Sequence, residues 1–236
     1  MNYYCFIDNL VQKFLNNFME NVLHFLGELQ NNNNKPWFDE NRKTYESCKK
    51  EFLQLIDLII KDIATFEPEL TNLDPKKCIF RINRDIRFSK NKEPYKNNFG
   101  AWFALKKGEN EMAGFYIHIE PNNKSFVAGG MYMPSNEYLK KIRQEIDYNK
   151  KELDDILNNP LYLKYFTGLQ GEKLSRPPQG YTADNEAIEY LKHKSFINSS
   201  PITDEVLLSS DLKNQVIERF KALAPLNKFL NVIFEQ

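Results

Sequence analysis

The sequence is poor in cysteine, carries no excess of either charge and has no long apolar run, and each absence removes a class of protein. Its three cysteines, Cys5, Cys48 and Cys78, are odd in number, far apart and without ligand spacing. Neither a disulfide framework nor a metal site is therefore expected, and a reducing cytoplasm suits the chain best. Lys and Arg total 32 and so do Asp and Glu, for a formal net charge of zero. No overall field steers the molecule onto nucleic acid or an anionic membrane, so any basic site must be local. No apolar stretch approaches the roughly 18 to 20 residues of a membrane-spanning helix. Met1 to Phe18 is apolar in places but contains Asp8, lacks a basic leader and shows no small-residue cleavage pattern, so it is not expected to be a signal peptide. Also missing are GxxxxGK followed by Ser or Thr, GxGxxG, GxSxG, HExxH and any paired-cysteine motif. No cofactor is expected on that ground.

What is present describes a folded chain. Over 236 residues, 42% are hydrophobic, 14% aromatic and 27% charged, close to a globular average apart from the many Phe and Tyr, and this argues against disorder. No internal repeat or long linker breaks the sequence. The reading is one α+β domain over residues 19–236, preceded by an extension at 1–18 that is either helical or the product of an early start.

Apolar residues Phe14, Phe18, Val22, Phe25, Leu26 and Leu29 recur at helical spacing, and the polar run Asn31 to Asn34 with Pro36 ends that helix. A second helix is expected with Asp39 as N-cap and Phe52, Leu55, Ile56, Ile59, Ile60 and Ile63 on one face. From Lys76 aromatic and β-branched residues alternate with turn signals, predicting strands at about Cys78 to Phe88, Phe99 to Leu105, Gly114 to Glu120 and Ser125 to Tyr132. Short links argue for an antiparallel meander, with Pro121-Asn122-Asn123 turning the last hairpin. Helices return after Ser135 and run to Pro160, followed by an ordered loop at Gly168 to Tyr181. A short helix near Asp184 to Leu191, a strand at Lys194 to Asn198 and a helix from about Asp211, kinked at Pro225, complete the chain. A mostly antiparallel central sheet, residues 78–132, flanked by N-terminal and C-terminal helices is the expected architecture.

The densest chemistry lies between Lys76 and Lys96. On a strand, Phe80, Ile82, Ile86 and Phe88 would face the helices while Arg81, Asn83, Asp85 and Arg87 share the other face. Arg84 falls on the apolar side and would need a carboxylate partner or a bulge. The hairpin strand has the same two faces, with Phe115, Ile117 and Ile119 opposite Tyr116, His118 and Glu120. If the polar faces form one surface, an imidazole meets carboxylates that tune it and guanidiniums that suit a carboxylate or phosphate. This fits a small anionic or phosphorylated ligand, held by Arg81, Arg87 and Lys90, with His118 and Asp85 or Glu120 handling protons. Tyr95, Lys96, Trp102 and Tyr116, with Lys173 and Arg176 of the loop Gly171 to Tyr181, complete the candidate set.

Blander readings stand beside this one. Half-exposed strands carry cross-strand ion pairs that only satisfy one another, and His118 could be structural. Lys90, Lys92 and Lys96 could be a solvated turn. A non-catalytic interaction module would present Trp37, Phe38 and Trp102 to a partner protein. Single-stranded nucleic acid would need basic residues interleaved with Tyr95 and Trp102, and the neutral net charge disfavours it.

Several blocks carry a resemblance. Asn31-Asn32-Asn33-Asn34-Lys35-Pro36-Trp37-Phe38 with Asn41-Arg42 and Tyr45, Pro75 to Ser89, Pro94-Tyr95-Lys96, Gly100-Ala101-Trp102-Phe103 and Gly129-Gly130-Met131-Tyr132-Met133-Pro134 are similar to the signature blocks of the family called domain of unknown function 2461, found mostly in bacteria. So are the Gly171 to Gly180 loop, Lys194-Ser195-Phe196 and Leu223-Ala224-Pro225-Leu226. The resemblance spans about Val22 to Val232 and implies one compact domain, with no activity, cofactor or catalytic residue to carry over.

Overall fold

The computed structural model describes residues 19–107 and 110–235. Met1 to Phe18, with the proposed extension and the start expected for the first helix, lies outside the described residues. In chain order the elements are α1 (residues 19–31), α2 (Lys35–Glu40), α3 (Arg42–Ile63), α4 (Pro75–Cys78), β1 (Phe99–Phe103), β2 (Lys106–Lys107), β3 (Asn110–Glu111), β4 (Gly114–Ile119) and β5 (Ser125–Met131). Then follow α5 (Asn136–Tyr148), α6 (Lys150–Leu157), α7 (Pro160–Leu163), α8 (Ile188–Leu191), β6 (Phe196–Ile202), α9 (Asp204–Leu207) and α10 (Leu212–Asn231). Strands β1, β4, β5 and β6 form a four-stranded antiparallel sheet in that order, and β2 with β3 makes a separate two-stranded ribbon. The fold is α+β. Among the described residues no helix is long and apolar enough to cross a membrane.

Local chemistry accounts for most boundaries. Asn34 accepts the Trp37 N–H at 3.1 Å and Pro36 occupies the first turn of α2, where a missing N–H costs nothing. Asp39, expected to cap the following helix, instead lies in the last turn of α2 and its carboxylate pairs with Lys35 and Arg42. The residue that precedes α3 is Asn41, whose side chain makes no capping bond. Ser135 caps α5 as its sequence position predicts, accepting the Tyr138 N–H at 3.4 Å.

The hairpin between β4 and β5 turns through Asn122 and Asn123, both in the left-handed region at φ 69° and 58°, which asparagine tolerates better than most residues. Asp204 at the start of α9 locks this turn: its carboxylate accepts the N–H groups of Asn122 at 2.9 Å and Asn123 at 3.1 Å, while Asn123 Oδ1 accepts the Asp204 N–H at 2.8 Å. Asp204→Ala deprives the backbone N–H groups of Asn122 and Asn123 of their acceptor at an accessible position, and a loss of about 1–2 kcal/mol in urea unfolding is expected.

The strand expected at Cys78 to Phe88 does not form. Only Ile79 and Asn83 make isolated bridges, to Ala101 and Tyr95, and the chain bends beyond them. Phe80 and Phe88, expected against the helices, are exposed at 49% and 95%, and of the four apolar positions only Ile82 is fully buried. Side chains supply the reason by capturing backbone groups locally. Asp85 Oδ1 accepts the Arg87 N–H at 3.2 Å, and Lys92 Nζ donates to the Ile86 carbonyl at 3.0 Å. Arg84 does find the partner it required, with Glu93 Oε2 at 3.6 Å and the Glu93 carbonyl at 3.2 Å.

The chain divides into two compact units. Of the described residues, the first comprises 19–103, Tyr116–Val127 and Pro201–Ile217, and the second 104–107, 110–115, Ala128–Ser200 and 218–235. In the first, the helical stripes of α1 and α3 bury Phe25, Tyr45 and Phe52 with Phe38, Tyr95 and Phe99. Phe38 stacks on Tyr95 with centroids 4.0 Å apart, and Phe52 meets Phe99 at 5.3 Å. In the second, Phe115 packs on Phe220 at 4.9 Å, and Asn231 of α10 holds both backbone groups of Ala113, accepting its N–H at 2.8 Å and donating to its carbonyl at 3.1 Å. There the loop from Gly168 runs alongside the chain entering β6, with the Gln170 N–H bonded to Ile197 O at 2.8 Å and the Lys194 N–H to Glu172 O at 2.9 Å. That strand begins at Phe196, two residues later than expected, and extends to Ile202.

Candidate functional site

Strand β4 has the alternation its sequence predicts. Phe115, Ile117 and Ile119 are buried at 1% exposure or less, whereas Tyr116, His118 and Glu120 are only half-buried. On this second face the three polar side chains form one hydrogen-bonded chain, with Tyr116 Oη 3.1 Å from His118 Nδ1 and His118 Nε2 2.9 Å from Glu120 Oε2. Asn98 Nδ2 approaches the same Nδ1 at 3.3 Å. Phe126 of β5 stacks on the imidazole, centroids 4.6 Å apart and planes 14° from parallel. Lys124 stands 3.5 Å from the outer Glu120 oxygen.

The tautomer of His118 follows from its neighbours. An amide nitrogen can only donate, so Nδ1 is the acceptor and the ring proton sits on Nε2, directed at Glu120. Burial pushes the His118 pKa below its usual value, with Glu120 opposing the shift. The ring is therefore neutral near pH 7. Burial pushes the Tyr116 phenol up to about 12, which keeps it protonated. Gly100 of β1 makes room for this phenol, since a Cβ there would lie 2.5 Å from Tyr116 Oη.

Lys96 adjoins the chain through Phe80, and Arg81 acts on Lys96 electrostatically. The bridges of Ile79 to Ala101 and Asn83 to Tyr95, with the Lys96 N–H bonded to Ile82 O at 2.8 Å, hold residues 79–83 beside 95–101. Lys96 Nζ lies over the Phe80 ring at 5.2 Å, and that ring meets Tyr116 edge-on at 5.9 Å. Burial and then the charge of Arg81 lower the Lys96 pKa. Among the described residues neither Lys96 nor Arg81 forms an ion pair.

The other candidates are placed differently. Asp85 and Arg87 are joined to each other at 2.6 Å on the surface, the guanidinium bond to Arg87 holding the Asp85 carboxyl below its usual range. They do not converge with His118 through strand periodicity, because their segment is not a strand. Lys90 is exposed, Tyr95 is buried against Phe38, and Trp102 is half-buried with no partner for its indole N–H among the described residues. Phe38 is buried and Trp37 half-buried, so neither is the exposed aromatic that an interaction surface at these residues requires. Lys173 and Arg176 belong to the second unit, where Lys173 pairs with Glu189 at 3.3 Å. Sequence reading missed Asn98, Phe80 and Phe126 as members of the cluster. Extending the alternation of β1 back by one residue sets Asn98 on the face of Gly100 and Trp102, a signal that was available. Among the described residues no group of three His, Cys, Asp or Glu could hold a metal ion.

Residues 21–229 match the family described as conserved hypothetical protein, DUF2461. The chain belongs to this family. No curated protein and no solved structure matches it. The whole His118 cluster lies inside the matched DUF2461 region, which carries no activity in its description.

Proposed function

We propose that the chain binds a small anionic ligand, of which a phosphorylated metabolite is one kind, at Lys96 and Arg81 beside the Tyr116–His118–Glu120 chain. The observation that carries this reading is Lys96, a half-buried cation held over the Phe80 ring beside Tyr116 with no ion pair among the described residues. Burial and a neighbouring cation both disfavour the charged form of Lys96, so an incoming anion relieves it, and that relief is binding energy. Asp85 feels Arg81 as well, but Arg87 already occupies its carboxylate. Phe80, half-exposed beneath Lys96, offers the ligand an apolar surface.

Titration of the full chain with inorganic phosphate and with pyrophosphate, followed by calorimetry or NMR, tests the proposal. Saturable binding is expected, with Lys96→Met and Arg81→Met each weakening it by about tenfold or more, the worth of one charge-assisted hydrogen bond. Arg87→Met, which removes an exposed and already paired cation, is expected to change affinity less than about twofold. No saturable binding of either anion, or binding indifferent to Lys96 and Arg81, overturns the reading.

A further inference from the structure

We infer that Tyr116, His118 and Glu120 form a proton relay, and that the ligand of the adjoining cationic site carries a weakly acidic O–H or N–H group whose proton the Tyr116 oxygen receives. This rests on the anion-site reading above and adds to it a direction of proton transfer, a ligand-facing residue and a ligand class.

The direction comes from the hydrogen bonds. Because Asn98 donates to Nδ1, that nitrogen has a lone pair and no proton, and the Tyr116 hydroxyl at 3.1 Å must donate to it as well. On the far side the Nε2 proton already faces a carboxylate oxygen at 2.9 Å, the group that stabilises an imidazolium when one forms. The phenol is thus poised to lose a proton to the ring and not to gain one from it. Tyr116 is also the member that touches Phe80, whose ring carries Lys96, so it is the end of the chain next to the cations.

The step balances without a further reactant. The ligand X–H bond breaks and its proton passes to the Tyr116 oxygen, while the original phenolic proton passes to His118 Nδ1. The electron pair stays on X, leaving an anion beside Lys96 and Arg81 and an imidazolium between Tyr116 and Glu120. Tyr116 ends as a phenol, hydrogen-bonded from the new Nδ1–H, and the Asn98 amide turns to present its oxygen. The charged groups around the ring favour this outcome in sum: Glu120 stabilises the imidazolium, Lys124 on the outer Glu120 oxygen moderates it, and Lys96 with Arg81 stabilise the new anion. The burial that keeps His118 neutral at rest supplies an empty acceptor, whereas the raised Tyr116 keeps the phenol from ionising unprompted. In these terms Tyr116 is the catalytic residue, and His118, Glu120 and Asn98 act through it.

Dihydrogen phosphate is itself an anion with an acidic O–H, so one probe serves both claims. In the free protein, long-range nitrogen–proton NMR near pH 7 is expected to show His118 unprotonated at Nδ1 and protonated at Nε2. Saturating phosphate should convert the ring to the doubly protonated form, while Tyr116→Phe, which removes the group that receives the ligand's proton, should bind phosphate more weakly and leave the ring neutral even when phosphate is saturating. Glu120→Gln should lower the His118 pKa further, because the carboxylate raises it. Phosphate binding with His118 still neutral in the wild type, or a resting Nδ1–H tautomer, sinks the relay and leaves the anion site standing. Failure to bind phosphate at all removes the site and the relay together.

Discussion

Gly130→Ala is expected to destabilise the protein by on the order of 3–5 kcal/mol, a large part of the about 5–15 kcal/mol that holds a typical domain folded. Two independent costs meet at this position. The backbone sits at φ +110°, a conformation that side chains rarely adopt, and an added Cβ would lie 2.0 Å from the carbonyl oxygen of Phe196 and 2.9 Å from Ile197 Cα. Both obstacles are backbone of the neighbouring strand, so relief requires β5 and β6 to separate rather than a side chain to rotate. Gly129→Ala is the natural control. Its Cβ would meet Leu223 Cδ1 at 2.9 Å and Gly114 O at 3.0 Å, and one of these is the end of a flexible side chain, so a smaller loss of about 1–2 kcal/mol is expected. Urea unfolding of the two variants measures the difference. A Gly130→Ala loss below that of Gly129→Ala would show that the strands yield easily.

Acid is expected to weaken the fold through His193. This residue is 2% exposed, its Nδ1 has no partner among the described residues, and burial, then the charge of Lys173, lower its pKa from 6.5 to about 4. The Gln170 backbone carbonyl and Glu189 oppose the shift without reversing it. A base whose folded pKa is depressed binds fewer protons folded than unfolded, so stability is complete above pH 6.5 and falls as the pH drops towards 4. The loss reaches about 3 kcal/mol by pH 4. His193→Gln abolishes this titration. The wild type should therefore lose about 3 kcal/mol more than the variant between pH 7 and pH 4 in denaturant titrations, and equal losses would show that His193 does not carry the acid sensitivity.

The two halves of the candidate site differed in how far they could be read from residues alone. The Tyr116, His118 and Glu120 face was legible because β4 is a regular strand, where a period of two sorts side chains without help from the rest of the molecule. The stretch from Phe80 to Phe88 has the same alternation and misled for a definable reason. Asp85, Arg87 and Lys92 offer the backbone local partners that compete with a ladder, and the exposed Phe88 shows that no apolar face was there to enforce the register. Asp39 illustrates the same limit at a helix start. It has the right chemistry for a cap, but Asn34 and Pro36 begin a short helix before it, and its carboxylate serves Lys35 and Arg42 instead.

What the amino-acid order determined by itself was the α+β class, the hairpin of β4 and β5, the apolar stripes of the long helices, the Ser135 cap and the family. All of these depend on interactions within a few residues or on a repeating period. Only the tertiary structure decided that Asn98 meets His118, that Gly100 leaves space for Tyr116, and that Lys96 lies over Phe80 while Arg87 is spent on Asp85. Those outcomes depend on which segments lie side by side, and segment pairing is settled by burial and by competition for backbone hydrogen bonds over the whole chain.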